Sequence, residues 1–459
     1  MCLFHRSGKC GHYPLLHQHD VIDMTHNKPL VLLGLLLVSG CSSISTAENK
    51  ATPQSDPAYH IDVLASQPHS KVSLILAFSG GGTRAAALSY GVMQQLQQTM
   101  IDVGRGPQPL LEEVDIISSV SGGSFTAAYY GLFGEQMFTE YEDAFLYKSI
   151  TDDLISTALS PLSWFSNDGR TEIAERYFQD NIFGDATFAD LHGNTGPFVI
   201  INASDITTGS RFSFIQNYFD LLCSDISRYP VSNAVTASAA VPVLFNSVIL
   251  ENYEGCEKNT SFHDAIAYSK DFTYQTEQTY KKLQSYKDTK KNQYIHLVDG
   301  GITDNLGLLA IYDIMELGKF HQDERLLATE KIVIISVDAA TEPDMGVGQA
   351  ANGLTIKQTL SMVTDIQLHR YNDATVELIE QSLQRWSASL SVDGNKVEPY
   401  FIRINLKDLT DQKQRGFFNQ IPTDFSLDEQ QVDQLIAEGG KQLANNVAFI
   451  QLLKDIAKQ

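Results

Sequence analysis

The chain has 459 residues, of which 43% are hydrophobic and 19% are charged, which excludes a wholly disordered chain and suits a globular protein of enzyme size. Its formal net charge of −22 argues against binding to nucleic acid phosphates and provides no electrostatic attraction to anionic lipid.

The first feature along the chain is a short apolar run at residues 30–38. A helix of that length rises only about 14 Å, less than half of the roughly 30 Å hydrocarbon core of a bilayer, so the run predicts a cleaved secretory signal. Residues 1–23 are polar and rich in His, and Met24 is therefore the better start codon. Residues 1–40 are interpreted as a doubtful leader plus a signal peptide.

The string Val38-Ser39-Gly40-Cys41 that follows resembles a bacterial lipobox. By that resemblance Cys41 is acylated, becomes the mature N-terminus and anchors the protein in the bacterial cell envelope. Ser42 stands where an inner-membrane retention signal would have Asp, which favours the outer membrane. The alternative is a plain signal peptide with Cys41 downstream by chance.

Residues 42–70 are rich in Ser, Thr, Ala and Pro and have no apolar period. They predict a flexible tether of about 30 Å between Cys41 and the folded part. Export also bears on the two cysteines of that folded part, Cys223 and Cys256, since an oxidising compartment favours a disulfide between them. Two buried thiols are the alternative.

From residue 71 onward, apolar strand-like runs alternate with helical stretches. The predicted strands are residues 72–78, 114–120, 198–203, 294–298, 331–338 and 400–406, and the longest predicted helices are residues 356–383 and 427–453. This alternation predicts an α/β fold, a three-layer α/β/α sandwich with a mostly parallel central sheet.

Two domain boundaries follow from the same pattern. Residues 71–310 are predicted to be the catalytic core, and residues 311–459 an α/β extension that is integral to the same domain, because the last strand lies in it. The polar stretch 250–293, rich in Lys and Tyr, predicts a solvated surface excursion, with a lid or lipid-facing insertion as the alternative.

The first chemical motif is Ser79-Gly80-Gly81-Gly82-Thr83-Arg84, between a strand and a helix. Glycines allow positive φ and close backbone approach, and N–H groups at a helix N-terminus stabilise an anion, either a phosphate or a catalytic oxyanion. The Lys-Ser/Thr of a P-loop is missing, and Ala85 stands where a dinucleotide fingerprint has Gly. A structural tight turn is the alternative.

The second motif, Ser119-Val120-Ser121-Gly122-Gly123-Ser124, is close to a G-x-S-x-G nucleophile elbow centred on Ser121. Gly123 occupies one glycine position of the elbow and Ser119 replaces the other. A serine at a helix start also benefits from the helix dipole, which favours a developing alkoxide. The motif therefore predicts that Ser121 is the nucleophile.

The third motif is Asp299-Gly300-Gly301, at the end of a predicted strand. A nucleophilic serine needs a base. His296 precedes Asp299 by three residues and points to the opposite face of the strand, and the other histidines after Ser121 have no strand-end context. The sequence therefore favours a Ser–Asp dyad over a Ser–His–Asp triad.

In this order the three motifs resemble the patatin-like phospholipase family. Residues 183–191 and 234–242 and the pair Asp304-Asn305 extend the resemblance. It implies that Ser121 attacks an ester carbonyl, that Asp299 deprotonates it directly, and that the oxyanion is held by the glycine loop (Gly80, Gly81, Gly82) with Arg84. No metal or cofactor is implied. Ser119 at the elbow, and Ala85 where some members carry Gly, depart from the family pattern.

The expected function is hydrolysis of acyl esters in membrane phospholipid or lysophospholipid. The alternatives are a general esterase or thioesterase on the same fold and a non-catalytic lipid-binding envelope lipoprotein. Asn202, Asp205 and Arg211 follow the third strand and predict capping or salt-bridge roles, and Asp338 predicts a strand end-cap.

Overall fold

The structure is a computed structural model that describes residues 47–52, 59–66, 70–158, 169–193, 196–242, 244–256, 273–317, 329–342, 355–391 and 396–458. The predicted signal peptide and Cys41 lie outside the described residues. Within the described part of the chain, no helix is both long enough and apolar enough to cross a bilayer.

The strands are β1 (Val72–Phe78), β2 (Met100–Asp102), β3 (Pro107–Pro109), β4 (Val114–Val120), β5 (Phe198–Asp205), β6 (Ser210–Ser213), β7 (Val248–Glu251), β8 (Tyr294–Val298), β9 (Lys331–Asp338) and β10 (Glu398–Asn405). The central sheet has the order β10-β9-β1-β4-β5-β8-β7, with β6 beside β5, and β2 and β3 form a separate hairpin.

The α-helices of the described residues are α1 (Gly82–Gln98), α2 (Gly122–Phe133), α3 (Met137–Tyr141), α4 (Ile150–Ala158), α5 (Arg170–Phe178), α6 (Phe188–Gly193), α7 (Gln216–Leu221), α8 (Val231–Ser238), α9 (Tyr274–Ser285), α10 (Gly301–Asp304), α11 (Leu308–Leu317), α12 (Ile356–Leu390), α13 (Gln412–Phe418), α14 (Glu429–Asn445) and α15 (Val447–Ile456). The helices α1, α2, α8 and α14 pack together in one group. The helices α9, α10, α11 and α12 pack together in another.

The sheet is parallel from β10 to β5 and antiparallel beyond it. β10, β9, β1, β4 and β5 run in the same direction, whereas β8 runs against β5, β7 against β8, and β6 against β5. β1, β5 and β9 are buried along their whole lengths, so both faces of the sheet are covered. The predicted mostly parallel α/β sheet with helices on both sides is therefore confirmed.

The C-terminal residues share this sheet, because β9 pairs with β1 and β10 pairs with β9. On one face, α14 packs closely on α1 at two glycines. A Cβ on Gly91 would lie 2.0 Å from the Ile436 carbonyl oxygen, and one on Gly439 would lie 2.3 Å from the Leu88 carbonyl oxygen. Residues after 311 thus contribute two strands to the central sheet and a helix that packs on α1.

Two parts of the predicted tether are packed against the core. Tyr59, Ile61 and Leu64 are buried, the Tyr59 hydroxyl donates to the Val199 carbonyl oxygen at 2.8 Å, and its ring stacks on Phe198 with centroids 4.6 Å apart. The tether prediction is therefore wrong for residues 47–52 and 59–66. Three apolar residues close together in a polar stretch are too few to show the periodic pattern of a helix or strand.

Residues 47–52 form what we call the N-terminal strap, which lies against the edge strand β7. The Glu48 N–H donates to the Ile249 carbonyl oxygen at 3.1 Å, and the Asn49 side chain bonds both the N–H and the carbonyl oxygen of Glu251. The Thr52 N–H donates to the carbonyl oxygen of Cys223 at 2.9 Å. The strap thus partly covers an exposed sheet edge.

Two further predictions were incomplete, and one more agrees with the structure. The helix predicted at 427–453 is two helices, because Asn446 interrupts it and its side chain accepts from the N–H groups of Ala448 and Phe449. The stretch 250–293 is not wholly solvated, since Leu283 and Tyr286 are buried. Cys223 and Cys256 are joined by a disulfide with a Cα–Cα distance of 5.6 Å, as predicted from export.

Candidate active site

Ser121 occupies a strained turn between β4 and α2. Its φ is 50° and its ψ is −121°, and among the described non-glycine residues only Ser121 and Cys223 have positive φ. Such a conformation costs an L-residue of this kind about 1–3 kcal/mol, and it is the geometry of a nucleophile elbow. Ser121 is the N-cap residue of α2, so the positive end of that helix dipole lies beside it.

The neighbours of Ser121 must be glycine because other backbone lies against them. A Cβ on Gly122 would lie 2.0 Å from the Gly82 carbonyl oxygen, and one on Gly123 would lie 2.7 Å from the Ser79 carbonyl oxygen. Ser119 is accommodated differently, since its hydroxyl donates to the Ile200 carbonyl oxygen at 3.0 Å, on β5. The serine that departs from the elbow pattern therefore causes no clash.

The glycine loop lies directly against the elbow. Gly81 and Gly82 have φ values of 139° and 61°, and a Cβ on Gly80 would lie 3.4 Å from Ser121 Cβ. The Gly80 N–H donates to the Asn305 carbonyl oxygen at 3.0 Å, whereas the N–H groups of Gly81 and Gly82 have no acceptor among the described residues. Of the three predicted oxyanion donors, Gly80 is therefore engaged elsewhere.

Arg84 does not point at the predicted oxyanion. Its Nε donates to the Ala339 carbonyl oxygen at 2.8 Å, Nη1 to the Ile421 carbonyl oxygen at 2.5 Å, and Nη2 to Thr423 Oγ1 at 2.9 Å. Burial lowers its pKa to about 10, so it stays charged at neutral pH. The prediction that Arg84 helps to hold the oxyanion is corrected: this side chain fastens the C-terminal segment to the start of α1.

Asp299 follows β8 and brings a carboxylate to the serine. Its Oδ1 accepts from the Gly301 N–H at 2.7 Å, and the Ser121 side chain lies close enough to the same carboxylate to lower its pKa. Burial raises the pKa of Asp299 to about 6, and the interactions with Gly301 and Ser121 oppose that rise. Above that pH the carboxylate is ionised and can accept the proton of Ser121.

Two helix N-termini meet at this point. α1 begins at Gly82 and α2 at Gly122, and the carbonyl oxygen of Gly82 lies against Gly122. Both helices therefore direct the positive ends of their dipoles toward Ser121, which favours a negative oxygen formed there. His296 is not part of the cluster, since its Nδ1 lies 3.1 Å from the Ser247 hydroxyl.

Polar residues of β5 and β6 support the sheet behind the site. Asn202 donates to the Ser118 hydroxyl at 3.0 Å and to the Ser119 carbonyl oxygen at 3.1 Å, which fixes the end of β4. Arg211 pairs with Asp313 at 2.6 Å and lies 3.8 Å from Asp304. These contacts agree with the structural roles predicted for them.

Asp205 and Asp338 also serve the local backbone. An Asp205 carboxylate oxygen accepts from the Thr207 N–H at 2.8 Å, and an Asp338 carboxylate oxygen accepts from the Ala340 N–H at 2.9 Å. Among the described residues, no group of His, Cys, Asp and Glu side chains could hold a metal ion.

Sequence reasoning assigned no role to three residues that the structure brings to the site. The N–H of Asp299 donates to the Ala240 carbonyl oxygen at 2.9 Å, the N–H of Ser121 donates to Ser238 Oγ at 2.8 Å, and Asn305 accepts from Gly80. Ser238 and Ala240 belong to the segment 234–242, and Asn305 to the Asp-Asn pair, that were noted only as points of resemblance.

A family model supplies the observation that decides the identity. The model described as patatin-like phospholipase matches residues 76–312, just over half of the chain, and spans Ser121, Asp299 and the glycine loop. The chain belongs to the patatin-like phospholipase family. This membership supports activity on lipid esters.

Solved structures similar to this patatin-like phospholipase are distant in sequence. The human GIVD cytosolic phospholipase A2 is 10% identical, with 86% of this chain and 64% of that chain covered and a TM-score of 0.43. VipD from Legionella pneumophila is 13% identical, with 92% and 73% covered and a TM-score of 0.33. The chain thus spans slightly less than two thirds of the human protein. A search of curated protein sequences gave no match.

Proposed function

We propose that this patatin-like phospholipase hydrolyses acyl esters of membrane phospholipid or lysophospholipid, with Ser121 as the nucleophile and Asp299 as the base. The observation that carries the proposal is the strained φ of 50° at Ser121 combined with the proximity of its side chain to the buried carboxylate of Asp299. Backbone strain of this kind is concentrated at active sites.

In the proposed reaction, the proton of the Ser121 hydroxyl moves to Asp299 as Ser121 Oγ bonds to the ester carbonyl carbon. The negative oxygen that forms is stabilised by the N–H groups of Gly81 and Gly82 and by the N-termini of α1 and α2. The C–O bond to the leaving alcohol then breaks, and Asp299 returns the proton to that alcohol. Water then attacks the acyl-serine carbonyl carbon while Asp299 accepts its proton. The bond from that carbon to Ser121 Oγ breaks, Asp299 returns the proton to Ser121 Oγ, and the fatty acid is released.

The test is product analysis with defined lipids. The purified protein is incubated with phosphatidylcholine and lysophosphatidylcholine in mixed micelles, and with monomeric short-chain esters. We expect fatty acid release from the lipids, with Ser121→Ala and Asp299→Asn each lowering the rate about 10³-fold or more and the double variant adding little, because the two groups act as one unit. Preference for the monomeric short-chain esters would instead assign a general esterase.

We also propose that Cys41 is lipid-modified and anchors the enzyme, most simply in the outer membrane. The lipobox resemblance supports this proposal. Because the strap is bound from Glu48 onward, only six residues lie between Glu48 and Cys41, so the two residues are at most about 25 Å apart. Cys41→Ser is expected to move the protein from the membrane fraction to the soluble fraction. Unchanged membrane association of that variant would rule out the lipid anchor.

A further inference from the structure

Ser238, the last residue of α8, lies where the two halves of the site meet. The residue is fully buried. Its Oγ lies 2.8 Å from the Ser121 nitrogen, 2.6 Å from the Asn202 carbonyl oxygen and 3.0 Å from Ser124 Oγ. One hydroxyl therefore contacts the nucleophile's own backbone, the adjacent strand β5 and the first turn of α2.

The direction of each of these hydrogen bonds follows from what the partners can do. A hydroxyl has one proton and two lone pairs. The Asn202 carbonyl oxygen can only accept, so it takes the proton of Ser238, and the Ser121 N–H can only donate. The Ser124 hydroxyl must therefore donate to Ser238. All three bonding positions of Ser238 Oγ are used, which leaves the hydroxyl a single orientation.

The backbone of the same segment holds the base. The Ser238 carbonyl oxygen accepts from the Gly300 N–H at 3.0 Å, and the Ala240 carbonyl oxygen accepts from the Asp299 N–H at 2.9 Å. β4 and β8 are separated by β5, so no strand ladder joins the elements that carry Ser121 and Asp299. Residues 238–240 are hydrogen-bonded to both the Ser121 turn and the Asp299 segment, and so connect the two directly.

We propose that Ser238 is a positioning residue that fixes the distance between Ser121 Oγ and the Asp299 carboxylate. The proposal rests on the function proposed above. Ser238 touches no reacting atom, so its effect is transmitted through the backbone nitrogen of Ser121. It should therefore act on the chemical step and leave lipid binding largely unchanged.

The test is Ser238→Ala in the full-length protein, assayed on micellar lysophosphatidylcholine. We expect kcat to fall about 30–100-fold, the scale of a small misplacement of reacting groups, with KM changed less than about twofold. The acid limb of the pH–rate profile should also move to higher pH, because the interaction with Ser121 that lowers the pKa of Asp299 is weakened. A residue that only stabilises the fold would not move that limb.

Thr236→Val is the matched control. Thr236 lies on the same helix, is buried, and donates its hydroxyl to the Ser232 carbonyl oxygen at 2.8 Å without touching the elbow. Loss of the Thr236 hydroxyl should leave kcat and the acid limb of the pH–rate profile unchanged. If Ser238→Ala does not fold, Ser238→Cys keeps a group of similar size with weaker hydrogen bonding and should lower kcat about tenfold.

Two results would overturn the proposal. Folded Ser238→Ala or Ser238→Cys with wild-type kcat and an unmoved acid limb would show that the hydroxyl does not position the pair. An equal kcat loss in Thr236→Val would show a general effect of helix α8. Failure of the proposed function is a separate outcome, since it would appear as full activity in Ser121→Ala, whatever Ser238→Ala does.

Discussion

Ser121 and Asp299 reach the same level of the central sheet, although they follow strands that run in opposite directions. Val120 pairs with Asn202 in the parallel ladder, and Val298 pairs with Ser204 in the antiparallel one. Ser121 follows Val120 and Asp299 follows Val298, so both lie beside Ala203, the β5 residue between Asn202 and Ser204. The two side chains meet across that strand.

The first prediction concerns the pH dependence of the rate. The Asp299 carboxyl must be ionised to accept the serine proton, and burial raises its pKa to about 6. We expect kcat/KM to fall about tenfold per pH unit below that value and to be flat above it up to pH about 8. Assays from pH 4.5 to 8.5 on a substrate without an ionisable group test this. An acid limb near pH 4 would contradict the raised pKa.

The second prediction separates stability from activity at the same residue. The pKa of Asp299 rises from 3.8 unfolded to about 6 folded, so the native state binds more protons in that range and loses stability as pH rises through it. Asp299→Asn removes the cost of the buried charge but keeps an acceptor for the Gly301 N–H. It should be inactive yet about 1–3 kcal/mol more stable than wild type at pH 8.

Urea denaturation at pH 8 and at pH 4 measures this difference. The stability gain of Asp299→Asn over wild type should largely disappear at pH 4, where the wild-type Asp299 carboxyl is protonated in the native state. A variant that is less stable than wild type at both pH values would show that the carboxylate stabilises the fold.

The third prediction tests the corrected role of Arg84. Arg84→Lys keeps a charge but cannot make the three planar hydrogen bonds to Ala339, Ile421 and Thr423. We expect a loss of about 2–4 kcal/mol in unfolding free energy and faster amide hydrogen exchange in residues 421–427. Arg105, whose side chain is 48% exposed and contacts the buried Glu113, makes Arg105→Lys a suitable control. A large kcat loss with unchanged exchange would restore the oxyanion role.

The fourth prediction concerns two carboxyl groups that fasten the strap. Glu48 accepts from Tyr229 and Asn233 and hydrogen-bonds to Glu175. Burial raises the pKa of both carboxyls, and the charge of Glu48 raises that of Glu175 further, so folding favours a proton shared between the two groups. The stability that this proton provides is present at low pH and is lost as pH rises through the folded pKa values.

Glu175→Gln replaces the shared proton with a permanent N–H donor to Glu48. It should slow amide exchange in residues 47–52 at pH 8 relative to wild type, and have little effect at pH 5. Glu140→Gln, an exposed change, is the control. Faster exchange in Glu175→Gln at pH 8 would mean that the ionised pair binds the strap better than the neutral one.

The elements that the sequence predicted well have strong local signals. β1, β4 and β9 are mainly apolar runs and have the predicted bounds, whereas β6 and β7 have four residues each and were not predicted. The elbow could be recognised because Gly122 and Gly123 stand where backbone crowding requires glycine.

The remaining parts depend on contacts between distant segments. A long side chain such as that of Arg84 can turn toward either the loop or the C-terminal segment, and only the fold decides which. Ser238 bonds to a residue 117 positions away, so no local pattern marks it. Tyr59 is buried by strands that lie far along the chain, which is why the tether prediction was wrong there.

The most direct test of the Ser121–Asp299 account is labelling with a fluorescent fluorophosphonate, followed by peptide mapping. The comparison includes wild type, Ser121→Ala, Asp299→Asn and, as a control, Ser89→Ala, which removes a buried hydroxyl in α1. We predict that wild type and Ser89→Ala are labelled at Ser121, that Ser121→Ala is not labelled, and that Asp299→Asn is labelled at least about 100-fold more slowly. Labelling at another residue, or at full rate in Asp299→Asn, would contradict the account.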